Sequence, residues 1–156
     1  MGAVYFYHLS RSPLETAVAM LAERALGAGW QVAVRLRDAA RADWLDGRLW
    51  QVGDASFLPH GVAGGALDHL QPILLTGGPA GEGRACLLAL DGVEVGADEA
   101  AATERVCILF DGADEDAVQV ARGQWKALTG AGLAAVYWSE DGGRWQKKAE
   151  AAGRAP

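Results

Sequence analysis

Three groups of residues in this sequence have types and spacing that could do chemistry. The first is glycine-rich. Gly78–Ala85 reads GPAGEGRA, with the two-glycine spacing of a loop that cradles phosphates. Such a loop needs a Lys on the phosphates and a Ser or Thr on the metal, and here Arg84 and Ala85 take those places. It also runs between two apparent strands, where the motif needs a strand before and a helix after, so a glycine-rich turn is the preferred reading. Gly130–Ala135 (GAGLAA) imitates a dinucleotide fingerprint, but it follows a helix and enters a strand, the reverse of the required order. The second group is Asp111, at the end of an apolar run, with Gly112, Asp114, Glu115 and Asp116 after it. Doubly wound folds put chemistry at such strand ends. Acids also gather where a helix begins, and capping accounts for these better. The third group is His8, His60 and His69 with Cys86 and Cys107. His8 lies in a strand-like run. His60 follows Pro59 and reads as a loop anchor rather than a base, and neither it nor His69 has a Cys or carboxylate at metal-ligand spacing. The cysteines sit inside apolar runs and read as reduced, buried thiols. No nucleophile–base pair can be assembled, so catalysis, a metal and a cofactor all lack support.

Two further features look like surface made for a partner. Arg122, Trp125 and Lys126 stand at i, i+3 and i+4 and share a helix face, with Val118 one turn earlier. A cation–aromatic–cation face suits a ligand that brings carboxylates and an apolar anchor. The pattern equally allows Trp125 to pack in the core while its neighbours snorkel. The second feature is Leu49–His60 (LWQVGDASFLPH), where Trp50, Phe57 and Leu58 are costly to leave wet. It reads either as a loop folded on the sheet edge or as an apolar docking patch.

Alternating strands and helices must position these residues. Val4–Leu9 is a first strand. Ser12 and Pro13 open a helix in which Ser12 caps, and Leu14, Ala17, Val18, Leu21, Ala22 and Ala25 recur at helical spacing. Gln31–Leu36 is a second strand, and Asp38 caps a helix running to about Trp50. Asp54–Gly65 reads as a loop. Gln71–Thr76, Ala85–Leu90 and Arg105–Phe110 are continuous apolar runs of the kind buried in parallel sheets. Ala97–Ala102 reads as a helical turn, and a helix from Asp114 or Glu115 runs to about Leu128, closed by Gly130 and Gly132. Ala134–Trp138 is a last strand and Gly143–Ala149 a final helical turn. The alternation predicts one three-layer α/β domain over residues 1–150 with a mostly parallel central sheet, followed by a frayed tail, 151–156.

Length and charge narrow the function further. The 156 residues carry 14 Lys and Arg against 20 Asp and Glu, a net charge of −6, with 51% hydrophobic residues. That is enough for one core and too apolar for disorder. Nothing reaches the length of a membrane span, and the first residues do not read as a signal peptide. An acidic chain does not coat DNA or RNA. The charge is uneven, though. From Ala117 onward there are six basic and three acidic residues, a net +3 that leaves −9 for the rest. An acidic body with a basic C-terminal quarter offers a local site for an acidic partner, in a cytoplasmic protein.

Several pieces, in order, resemble the chi subunit of bacterial DNA polymerase III holoenzyme. They are YFYHL with its helix, LW followed by SFLPHGVAG, QPILLT, RVCILFDG, ARGQWKALTGAGL and YWSEDGGRWQKKA, which together cover roughly Ala3 to Ala149. The resemblance implies a Rossmann-like sheet without nucleotide chemistry and a non-catalytic role. It implies binding of the acidic, Phe-ending C-terminal tail of single-stranded DNA-binding protein, which links the clamp-loader end of the replicase to coated DNA. On the family's long C-terminal helix that site carries over to Arg122, Trp125 and Lys126, with Val118 and Gln119 beside them. The family example has a basic residue where Val118 stands and Tyr where Trp125 stands. The resemblance also implies a partner interface for the psi subunit, or for another clamp-loader component, around Phe57 with Trp50 and Leu58. Against this stand two other readings: a module for a different acidic peptide on the same fold, and a nucleotide-binding enzyme using Gly78–Arg84 and Asp111.

Overall fold

A computed structural model describes residues 2–51, 59–64, 68–77, 84–141 and 144–153. The strands are β1 (Ala3–Leu9), β2 (Val32–Arg35), β3 (His60–Val62), β4 (Ile73–Thr76), β5 (Cys86–Ala89), β6 (Arg105–Asp111), β7 (Ala134–Asp141) and β8 (Arg144–Ala151). The helices are α1 (Leu14–Gly27), α2 (Ala39–Leu49), α3 (Ala97–Ala102) and α4 (Glu115–Gly130). Among the described residues they build one sheet in the order β3-β4-β2-β5-β6-β1-β7-β8. Every neighbouring pair is parallel except β7–β8.

Helices cover both faces, which is why β2, β4 and β5 are buried at every position. Successive strand residues point to opposite faces. Tyr7, Leu9, Cys107 and Leu109 therefore pack with Val18, Leu21 and Ala22 of α1 and Leu45 of α2. Val4, Phe6, Val106, Ile108 and Phe110 pack on the other side with Ala121 and Leu128 of α4. This is the expected three-layer, mostly parallel, Rossmann-like α/β architecture. Both cysteines are free and buried, as expected. The hydrogen bond with Cys86 and its own burial push the Cys107 thiol well up.

Adjacent strands β1 and β6 feed crossovers that run in opposite directions. From β1 the chain passes through α1 to β2 on one side of it, and from β6 through α4 to β7 on the other. The ends of β1 and β6 thus form a topological switch point, the crevice in which open α/β sheets bind ligands.

Three local expectations need correcting. Of the helical turn expected over Gly143–Ala149, Gly143 lies outside the described residues and the rest belongs to strand β8 (Arg144–Ala151), antiparallel to β7 from Asp141↔Arg144 to Ala135↔Ala151. Its run of Gln, Lys and Glu shows no strand-like apolar alternation because the strand is an edge and mostly solvent-exposed, where lysines also block further pairing. Within the expected loop Asp54–Gly65, His60–Val62 forms edge strand β3 against β4. Ser12 does not cap α1, since Pro13 is the N-cap residue, without a side-chain cap bond. The Ser12 hydroxyl instead donates to Glu140, far away in sequence.

Candidate functional site

Helix α4 begins where Asp114 accepts hydrogen bonds from the backbone N–H groups of Asp116 and Ala117, at 3.0 and 3.2 Å. Those acids are a helix start, as the capping reading holds. Ala121 and Leu128 face the sheet and are buried. Val118 and Trp125, one step round the helix, are only half-buried, and Gln119, Arg122 and Lys126 are exposed. The pattern left core and surface open for Trp125, and the ring takes something of both. It meets Phe6 edge-on with centroids 5.3 Å apart and Tyr137 at 6.1 Å, while its outer part stays uncovered.

Arg122 and Lys126 make no ion pair among the described residues. Two cations one helical turn apart, with no internal counter-charge, favour an anion from outside. Next to them lies Tyr137 of β7. Burial raises the pKa of its phenol, and the nearby Arg122 charge opposes the rise. Its hydroxyl is 2.7 Å from His8 Nδ1. His8 in turn explains Gly112, where a Cβ would come within 1.9 Å of the imidazole. The aromatic floor beside Arg122 is therefore Trp125, Tyr137 and, beneath them, Phe6. Tyr137 and His8 were not foreseen as site residues, since only the alignment of β1 beside β7 brings them to α4.

The second predicted surface is only partly within the described residues. Trp50, just after α2, is 55% exposed and packs against His60 with tilted rings, centroids 4.5 Å apart. Phe57 and Leu58 lie outside the described residues. His60 is an anchor, as read: its Nε2 is 3.1 Å from Asp46 Oδ1. Of the glycine-rich stretch, Gly78–Gly83 lies outside the described residues, while Arg84 is held by backbone. Its Nη1 donates to the carbonyls of Val32 and Pro72 at 3.1 and 3.3 Å, and its Nη2 to that of Asp68 at 3.0 Å. A guanidinium so engaged holds β2 and β4 together instead of facing a phosphate. Among the described residues no group of three His, Cys, Asp or Glu side chains is placed to hold a metal. No described helix is long and apolar enough to cross a membrane.

A cleft of about 640 Å³ opens at the switch point, on the opposite flank of α4. Asp116, Ala117 and Val120 line it, and none of Val118, Gln119, Arg122, Trp125 or Lys126 does. On its far rim Arg41 stacks over Trp44 at 4.2 Å and binds Asp91, with Nη2 2.9 Å from Oδ1. The Arg122–Lys126 pair and this cleft thus stand on opposite flanks of one helix.

Fold and site together define a Rossmann-like α/β protein with a cation–aromatic face on one flank of α4 and, on the other flank, the crevice where that fold keeps nucleotides. Curated proteins give no match to the chain. The chain does belong to the family described as DNA polymerase III chi subunit, HolC, which it matches over residues 1–136. That makes it an accessory subunit of DNA polymerase III.

Proposed function

We propose that the protein is a non-catalytic tether that holds the acidic, Phe-ending C-terminal tail of single-stranded DNA-binding protein on α4 and joins it to the clamp loader. The observation that carries this reading is the pair Arg122 and Lys126, cations without ion-pair partners among the described residues, flanking a half-exposed Trp125. The tail's carboxylates meet these cations, and its terminal Phe rests on Val118, Trp125 and Tyr137. Gln119 supplies a neutral hydrogen-bonding group on the same turn. The net +3 of the C-terminal quarter attracts the tail, while the −9 body keeps the protein off bare DNA. With Val118 in place of a family cation, one attractive charge is missing from the first turn of the site. The clamp-loader side, through a psi-like subunit or another component, uses the exposed Trp50 with Phe57 and Leu58. No cofactor takes part, and the work is done in the cytoplasm, where the replicase operates.

The test is a titration with the tail peptide of single-stranded DNA-binding protein from the same cell. Arg122→Ala weakens binding by roughly ten-fold, the size of a central charged contact. A peptide lacking its terminal Phe binds poorly. Unchanged affinity in Arg122→Ala, or equal binding of the truncated peptide, overturns the site. Tight binding of an unrelated acidic peptide, with none of the tail, would move the reading to a different acidic-peptide module.

A further inference from the structure

The loop between β1 and α1 holds an anion that belongs to the protein itself. The backbone N–H groups of Ser10, Arg11 and Ser12 all donate to one oxygen, Glu140 Oε1, at 3.0, 3.2 and 3.0 Å. The Ser12 hydroxyl donates to the other, Oε2, at 2.6 Å. Three consecutive main-chain donors converging on one oxygen make a nest of the kind that binds phosphate and sulfate. Glu140 is buried and forms no salt bridge among the described residues, so its charge is met by N–H and O–H donors alone.

The placement matters as much as the bonds. Ser10–Pro13 lines the switch-point cleft at the start of α1. In doubly wound folds this first strand–helix turn is where a nucleotide's phosphate sits, against main-chain N–H groups and the positive end of the helix. Here α1 has no side-chain cap of its own. Its N-terminal end faces a carboxylate delivered by β7, which lies on the far side of β1 from β6. The loop also has a separate tie to β7, for the Ser10 hydroxyl donates to the Glu140 main-chain carbonyl at 2.8 Å. That bond does not involve the carboxylate and remains when the side chain is cut back.

We infer that Ser10–Ser12 is an oxyanion-binding site whose resident ligand is the Glu140 carboxylate, and that a free oxyanion takes the seat once that carboxylate is removed. The crevice has kept the phosphate seat of its fold class and closed it from within. The family match ends at residue 136, so the closing residue lies beyond the matched span.

The experiment follows thermal unfolding of Glu140→Ala, Glu140→Gln and the unaltered chain, in sulfate and in chloride at equal ionic strength. Glu140→Ala melts roughly 10 °C lower in chloride, the shift expected for a domain of this size losing several charge-assisted bonds. Added sulfate restores at least half of that loss along a saturating curve, and acetate does the same. The unaltered chain rises only along the shallow, non-saturating slope that sulfate gives any protein. Parallel sulfate slopes in Glu140→Ala and the unaltered chain overturn the inference, as does a saturable sulfate response in the unaltered chain. Glu140→Gln keeps the shape and an acceptor oxygen but not the charge, and it loses most of what the alanine variant loses. If glutamine supports the fold as well as glutamate, the seat needs no anion and the inference is wrong, whether or not the alanine variant folds.

Discussion

On α4, Arg122 and Lys126 face solvent without ion-pair partners among the described residues, beside a tryptophan only partly covered. At the start of α1 the arrangement is reversed, for four donors from the β1–α1 loop meet one buried carboxylate of the same chain. Both regions match cation or donor to anion, and both use a helix and β7. The difference is where the anion comes from. A group completed by its own chain adds to stability and has nothing left to offer a ligand. A group left incomplete adds little to stability and keeps its attraction for a partner. The cleft at the strand ends belongs to the first kind at its α1 wall, and the Arg122–Lys126 face of α4 to the second.

The largest expected effect that tests this contrast is the response to acid. Burial alone raises the carboxyl of Glu140, but the bonds from Ser12, Ser10 and Arg11 outweigh it and hold the pKa at about 2, from an ordinary 4.5. A depressed carboxyl stabilises the fold above its unfolded pKa and loses that contribution as pH falls toward the folded one. Urea unfolding between pH 6 and pH 2 therefore shows about 3 kcal/mol lost below pH ~4.5 in the unaltered chain, and much less in Glu140→Gln. Parallel losses in the two proteins would break the contrast at its stabilising end.

Trp125→Ala comes next and should cross the divide, because this ring belongs to both regimes. It costs about 2 kcal/mol of stability through the contact with Phe6, less than a fully buried tryptophan would, and it also weakens the tail peptide. Arg122→Ala separates the two: stability within about 0.5 kcal/mol of the unaltered chain in urea, against a loss of about 1–2 kcal/mol in peptide binding that shrinks as salt is raised. Destabilisation by more than about 1 kcal/mol would mean that Arg122 has an internal role. The smallest effect is Tyr137→Phe, which removes the hydroxyl beside His8 and costs about 1 kcal/mol in unfolding, with little change in peptide affinity.

Strands buried on both faces were legible in the sequence as unbroken apolar runs, and α1 and α4 as periodic ones. Asp114 was legible as a start signal because capping is local. The edges were not. β8 carries Gln146, Lys147 and Lys148 at consecutive positions, which breaks the alternation of a strand, and is defined by its partner, β7. β3 is three residues long and its partner, β4, follows it by ten. In the proposed site, the shared face of Arg122, Trp125, Lys126 and Val118 was legible because helical spacing is a local rule. The contact of Tyr137 with Trp125 was not legible, because its place under α4 depends on β1 and β7 being neighbours. Glu140 was missed for the same reason in stronger form: its partners, Ser10 to Ser12, are 128 to 130 residues away. Ser12 looked like a cap for its own helix, and only tertiary structure shows that its hydroxyl serves another strand.

The antiparallel pairing of β8 has a mechanical consequence. The proposed tether would bear load, and among the described residues β8 is bonded along one side only, with Ala151 beside the start of β7 and Arg144 beside its end. A pull on the chain after Ala151 opens this hairpin like a zipper, one pair at a time and at low force. The opening runs toward the end of β7, where Glu140 stands opposite Trp145. There the load meets the carboxylate fastened to the β1–α1 loop, in the interior of the sheet. The same side chain that closes the crevice is thus placed to stop the tear.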